Sequence, residues 1–165
     1  TVKPGKYYIL TMHRQEHILF RKEWTKDILR YVIKNTNKNL EGILVAHHLP
    51  ASFLQNFDPQ KQANSKITVL SRLPYLKFMK LMNNAEFIDT DGCTNQEEAY
   101  YMGLPLLALR NRTERIEGLG QNVIISKDSK KNIKNFIRNY KRFKRNAITI
   151  KQKPSKIIVD YLLKN

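Results

Sequence analysis

The sequence predicts a doubly wound parallel α/β sandwich, and three observations predict it. Short runs of β-forming residues alternate with helical patterns at the spacing of βαβ units along the whole chain. The run at residues 42–46 is apolar without alternation, as a strand covered on both faces requires. Gly103 and Pro105 stand where a helical pattern must stop before the next strand begins.

Tyr7, Tyr8, Ile9, Leu10, Thr11 and Met12 make the first strand, and the polar turn His13-Arg14-Gln15-Glu16 separates it from a helix. In that helix Phe20, Trp24, Ile28 and Val32 recur every four residues, with Leu29 and Ile33 widening the stripe, until residues 35–39 end it. Strands follow at 42–46 and 67–70. Pro74 then opens a helix in which Leu76, Met79 and Met82 share a face flanked by Phe78 and Leu81. A strand at 86–89 leads into the loop at residues 90–94 and a helix at 96–102. The remaining elements are a strand at 106–109, a charged loop at 111–117, a last strand at 122–125, a helix carrying Ile133, Phe136, Ile137 and Tyr140, and a terminal helix from near Pro154. Sheets of this kind bind ligands at the carboxyl ends of their strands, so the loops at 13–16, 91–96 and 110–117 are the candidate site.

The chain of 165 residues, 41% of them hydrophobic, suits one domain with one core. Its single cysteine, Cys93, excludes an intrachain disulfide and fits a cytoplasmic protein. No apolar stretch approaches the roughly 20 residues of a membrane span. The amino end carries neither an initiator Met nor a signal pattern, which reads as a cut inside a longer chain. A net charge of +16 invites a polyanion reading, yet the segment 127–165 alone holds thirteen Lys and Arg against two Asp. With the excess concentrated there and Lys outnumbering Arg, solvated faces are expected, with neither a nucleic-acid partner nor membrane insertion.

Four motifs bear chemistry. His13-Arg14-Gln15-Glu16-His17 fits the H-x-x-E-H zinc pattern, but that pattern needs a continuous helix and His13 directly follows a strand, so no metal site is expected. His13 faces the ligand edge with the cation Arg14 beside it, while His17 reads as a solvated first-turn residue. His47-His48 at the next strand end reads as hydrogen-bonded structure. In Gln96-Glu97-Glu98, neighbouring carboxylates point about 100° apart on a helix, so only one can face a cleft, where it would suit the vicinal hydroxyls of a ribose. Arg110, Arg112 and Arg115 offer guanidinium forks that suit a diphosphate. Neither G-x-G-x-x-G nor a P-loop occurs, so helix N–H groups near Thr94 and Asn95 would serve a phosphate instead.

Together, residues 11–16, Leu73 to Phe78, Asp89-Thr90-Asp91-Gly92, Gln96-Glu97-Glu98-Ala99, Gly103-Leu104-Pro105 and Arg110 to Glu117 resemble the UDP-N-acetylglucosamine 2-epimerases in order and spacing. The resemblance runs to Lys156-Ile157-Ile158-Val159 and matches only the carboxyl-terminal half of that family. It implies a Rossmann-like domain, one of the two that form a glycosyltransferase-B arrangement with a UDP-sugar between them. It implies that residues 1–165 are the UDP-binding domain, that the amino-terminal domain is the missing partner, and that the whole enzyme is a homodimer needing no cofactor. By resemblance His13 is the active-site histidine, Phe78 lies against uracil, Glu98 accepts from the ribose, Arg115 pairs with the diphosphate, and Arg14, Gly92, Cys93 and Thr94 complete the UDP site. The implied reaction removes UDP across C1 and C2 to a 2-acetamidoglucal and adds it back with C2 inverted, in surface polysaccharide biosynthesis. The base for the C2 proton lies in the other domain, so this chain alone should not turn over.

Three departures stand out. Gly92-Cys93-Thr94 replaces the usual Ser-Gly-Gly, which restricts how closely backbone N–H groups approach a phosphate. His17 stands for the usual Asn and Tyr100 for the usual Pro, while Thr113 to Glu117 fits the non-hydrolysing branch. The alternatives are a glycosyltransferase, or a non-catalytic sugar-nucleotide module, of the same fold.

Overall fold

The computed structural model describes residues 3–46, 49, 52–53, 57–62, 66–149 and 153–164. His47 and His48 lie outside the described residues. Among these residues six strands form one parallel sheet: β1 (Tyr7–Thr11), β2 (Glu41–Val45), β3 (Ile67–Leu70), β4 (Ile88–Thr90), β5 (Leu106–Ala108) and β6 (Val123–Ile125). Their order is β3-β2-β1-β4-β5-β6, so the chain winds outward one way from β1 and then returns to wind the other way. The doubly wound fold expected from the alternating patterns is therefore observed, with its switch point between β1 and β4. Ligand-binding crevices form at such a point because the loops after the two central strands diverge.

Helices cover both faces. On one side α1 (Lys22–Asn35) and α5 (Lys130–Asn139) bury Ile28, Leu29, Val32, Ile33, Ile133, Phe136 and Ile137 against Tyr8, Leu10 and Leu107. On the other side α3 (Tyr75–Asn83) and α4 (Cys93–Met102) pack Met82, Phe78, Met79 and Ala99 against Ile9, Ile43, Ile88 and Leu106. A short α2 (Pro59–Gln62) precedes β3, and α6 (Pro154–Lys164) ends the described chain. None of α6 is buried, and Ile157, Ile158, Val159, Tyr161, Leu162 and Leu163 are exposed along it. Among the described residues no helix is long and apolar enough to cross a membrane.

Several sequence expectations shift. Phe20 does not belong to the α1 stripe: it ends a π-helical turn, Glu16–Phe20, that precedes α1, and it is exposed. Leu76, in the first turn of α3, is likewise exposed. The strand expected at 86–89 runs from Ile88 to Thr90, starting two residues later and ending one later. The helix expected from Gln96 starts at Cys93, with Gly92 as its cap residue. Gly103 closes that helix at φ +66, and a Cβ there would stand 2.2 Å from the Arg145 carbonyl oxygen, so both conformation and space require glycine.

Candidate nucleotide-sugar cleft

The three loops expected to form the site converge at the carboxyl edge of β1, β4 and β5. Asp91, immediately past β4 and fully buried, fixes the first of them. Its carboxylate accepts the His13 N–H at 2.6 Å, the Arg14 N–H at 3.1 Å and the His17 Nδ1–H at 2.8 Å. Burial pushes the Asp91 carboxyl up, but the hydrogen bonds from His17 and from the His13 and Arg14 amides outweigh it and hold it below the ordinary range. His17 is thus not the solvated residue expected. It is buried, with its ring 5.0 Å from the Trp24 ring, because the π-helical turn points it inward.

A cleft of about 260 Å³ opens beside this loop, lined by His13, Val45, Arg72, Leu73, Tyr75, Phe78, Thr94, Asn95 and Glu98. It gathers His13 from the loop after β1, Phe78 from α3, and Thr94 and Glu98 from α4. Gly92 forms the adjoining wall: a Cβ there would meet the His13 ring at 3.1 Å and the Asn95 Oδ1 at 2.6 Å. Starting α4 at Cys93 places the unbonded N–H groups of its first turn at the cleft. Glu98 faces the cleft, while Glu97 points away and pairs with Arg115 at 2.8 Å, as the helical geometry requires. Burial pushes the Glu98 carboxyl upward, with hydrogen bonds from Asn95 and Tyr75 offsetting part of that rise. Asn95 donates to Glu98 Oε2 at 3.0 Å and so sets its orientation.

The remaining predicted residues sit one step away. Arg14 and Arg110 donate to the Cys93 sulfur at 3.6 and 3.1 Å, and the Cys93 thiol donates to Glu114 at 2.8 Å. The bond from Cys93, with Arg110 and Arg14 nearby, brings the Glu114 carboxyl down to about 2. Arg110 does not hold its guanidinium open for a diphosphate as the sequence suggests. It is buried and bonds Gln96 Oε1 and the Thr113 hydroxyl. Arg115 lies outside the cleft, on Glu97.

Four side chains take roles that the sequence does not suggest. Tyr75, Arg72 and Asn95 line the cleft without belonging to a charged or histidine motif. Gln96 is fully buried, donates to the Arg115 and Glu117 carbonyls, and accepts from Arg110 and Thr113, so one amide staples the third loop to α4. A larger hollow of about 560 Å³ beside Tyr100, Lys144 and Arg145 contains none of the predicted site residues. Among the described residues no group of three or more His, Cys, Asp or Glu side chains could hold a metal.

A parallel sheet with a cleft at its switch point, a helix amino terminus on one wall and a carboxylate on that same helix defines a Rossmann-like ligand-binding domain. The profile of the family described as UDP-N-acetylglucosamine 2-epimerase matches residues 1–156, and the chain belongs to that family. A curated UDP-N-acetylglucosamine 2-epimerase from Methanocaldococcus jannaschii is 32% identical over 133 residues, which are 78% of this chain and 36% of the relative. The solved UDP-GlcNAc 2-epimerase of the same organism superposes with a TM-score of 0.79 at 29% identity, covering 99% of this chain and 47% of that one. The Neisseria meningitidis enzyme, solved bound to UDP-GlcNAc, gives 0.76 at 25% identity, covering 98% and 45%. The chain therefore spans under half the length of each of these three relatives.

Proposed function

We propose that this chain is the UDP-binding domain of an enzyme that interconverts UDP-GlcNAc and UDP-ManNAc. The observation that carries the reading is the meeting of His13, Phe78, Thr94 and Glu98 in one cleft at the switch point. Phe78 offers a ring face to uracil, and Glu98, oriented by Asn95, accepts from the ribose hydroxyls. The first-turn N–H groups of α4, with Thr94, receive the diphosphate, and the helix dipole favours its charge. Arg14 lies on the same side, and Arg115 reaches the diphosphate by leaving Glu97. His13 stands at the reacting end of the sugar. Abstraction of the C2 proton by a carboxylate of the other domain breaks the C1–O bond, releases UDP and leaves the 2-acetamidoglucal. Re-addition of UDP at C1, with a proton delivered to the opposite face of C2, gives the epimer.

In this reading the partner is the other half of a glycosyltransferase-B arrangement, and the exposed apolar side chains of α6 offer it a surface. The whole enzyme is a cytoplasmic homodimer that supplies surface polysaccharide. The segment Gly92-Cys93-Thr94, with Cys and Thr where the family has two glycines, favours a second reading, a UDP-sugar glycosyltransferase or non-catalytic module of the same fold. Two measurements separate these outcomes. Calorimetric titration of the chain with UDP should show one saturable site. Joining the chain to the amino-terminal half of the M. jannaschii relative should give conversion of UDP-GlcNAc to UDP-ManNAc. Saturable UDP binding without epimerisation in that hybrid would contradict the epimerase reading, and absence of UDP binding in both forms would contradict the nucleotide site.

A further inference from the structure

We propose that His17 is a positioning residue for the cleft: through Asp91 it holds His13 and Arg14 in the places from which they meet a nucleotide sugar. The inference rests on the proposed function for the identity of the ligand, but not for the geometry.

An ionised carboxylate is acceptor-only, and Asp91 is buried where water does not reach it. Three donors satisfy it: the His13 and Arg14 amides from the loop after β1 and the His17 ring from the π-helical turn that follows. Because Asp91 can only accept, His17 Nδ1 must carry a hydrogen, which fixes the ring's donor side. The ring cannot swing away. Trp24 packs against it at 5.0 Å, and its own carbonyl accepts the Thr25 hydroxyl at 2.7 Å. His17 does not line the cleft, so its influence passes through the carboxylate.

The link runs onward to the cleft. His13, held at its amide by Asp91, has its Nε2 3.0 Å from the Thr11 hydroxyl and its ring close to Gly92. Arg14, held in the same way, sends its guanidinium to Cys93 in the first turn of α4. Removing the third donor leaves a buried carboxylate with only two amides. Such a group draws in water or a proton, and either change loosens the two amides that set His13 and Arg14.

The test uses the wild-type chain and three variants, each measured by backbone amide exchange at His13 and Arg14, by UDP titration and by thermal melting. His17→Leu keeps bulk and removes the donor. Exchange at both amides should rise, and UDP affinity should fall, each about tenfold. His17→Asn places an amide N–H near the Nδ1 position and should return both quantities to within about threefold of wild type. Ile18→Ala trims a buried neighbour in the same turn; it should lower the melting temperature while leaving both readouts at their wild-type values. The proposal is overturned if His17→Leu leaves exchange and affinity unchanged, if His17→Asn fails to restore them, or if Ile18→Ala moves them as far as His17→Leu does. Should His17→Leu not fold, the wild-type imidazole nitrogen spectrum decides: a protonated, slowly exchanging Nδ1 supports the link and an unprotonated Nδ1 contradicts it. A wild-type chain that does not bind UDP counts against the ligand assignment alone, and the exchange measurements still settle the positioning role.

Discussion

Asp89 and Asp91 are two residues apart at the end of one strand, both with 0% of their surface exposed, and they meet opposite fates. Asp91 has three hydrogen-bond donors and is held acidic. Asp89 points into the apolar layer under α1 and α5, neither of its oxygens has a partner, and burial drives its carboxyl well above the ordinary range. The difference shows that depth does not decide what a buried carboxylate contributes. Asp91 organises the cleft because the loop after β1 and the π-helical turn that follows present two amides and a ring to it, whereas Asp89 carries the desolvation cost with no compensating bond.

The largest effect should come from Asp91→Ala, which orphans the His13 and Arg14 amides and the His17 ring together. A loss of about 3–5 kcal/mol of stability is expected in denaturant unfolding. A loss below about 1 kcal/mol would remove the contrast with its neighbour. Asp89→Leu should act in the other direction, raising stability at neutral pH by about 1–2 kcal/mol. Its pH dependence carries the sign. A carboxyl raised in the folded state binds its proton more tightly there than in the unfolded chain. Its contribution is thus fully present below the unfolded value and is lost as pH rises toward the folded one. Stability curves of wild type and Asp89→Leu should converge in acid and diverge as pH rises.

Effects on binding are smaller in energy. Glu98→Ala should weaken UDP about tenfold, near 1.4 kcal/mol, while leaving unfolding within about 0.5 kcal/mol. Because burial raises the Glu98 carboxyl, wild-type UDP affinity should begin to fall on acidification at a higher pH than an ordinary carboxylate would give, and Glu98→Ala should abolish that fall. Arg115→Ala should be the mildest. Its guanidinium is half exposed on Glu97, so stability should shift by less than about 0.5 kcal/mol, and titration should show a smaller affinity loss than for Glu98→Ala.

Periodicity and the succession of strands and helical patterns carry most of the fold: β3 falls on the expected residues, and α1 and α5 bury the expected stripes apart from Phe20, which is exposed, and Trp24 and Tyr140, which are partly buried. Errors arose where chemistry runs against pattern. Glu86 and Phe87 fit a strand pattern as well as Ile88 does, so the sequence starts β4 two residues before the ladder forms at Ile88. Cys93 and Thr94 lack the periodicity of a helix and read as loop. The motifs point to His13, Thr94 and Glu98 and the family resemblance adds Phe78, and one cleft unites the four. The role of Asp91 was not legible, because two of its three partners are backbone N–H groups with no residue signature. The inward ring of His17 is hidden for a related reason: only the π-helical turn shows that it faces inward.

The most direct test of the central claim is a two-dimensional amide NMR titration of the chain with UDP, repeated at raised salt. Saturable, salt-tolerant shifts confined to residues 13–14, 72–78 and 92–98 are predicted. Shifts confined to the basic segment 127–145 and abolished by salt would contradict the account.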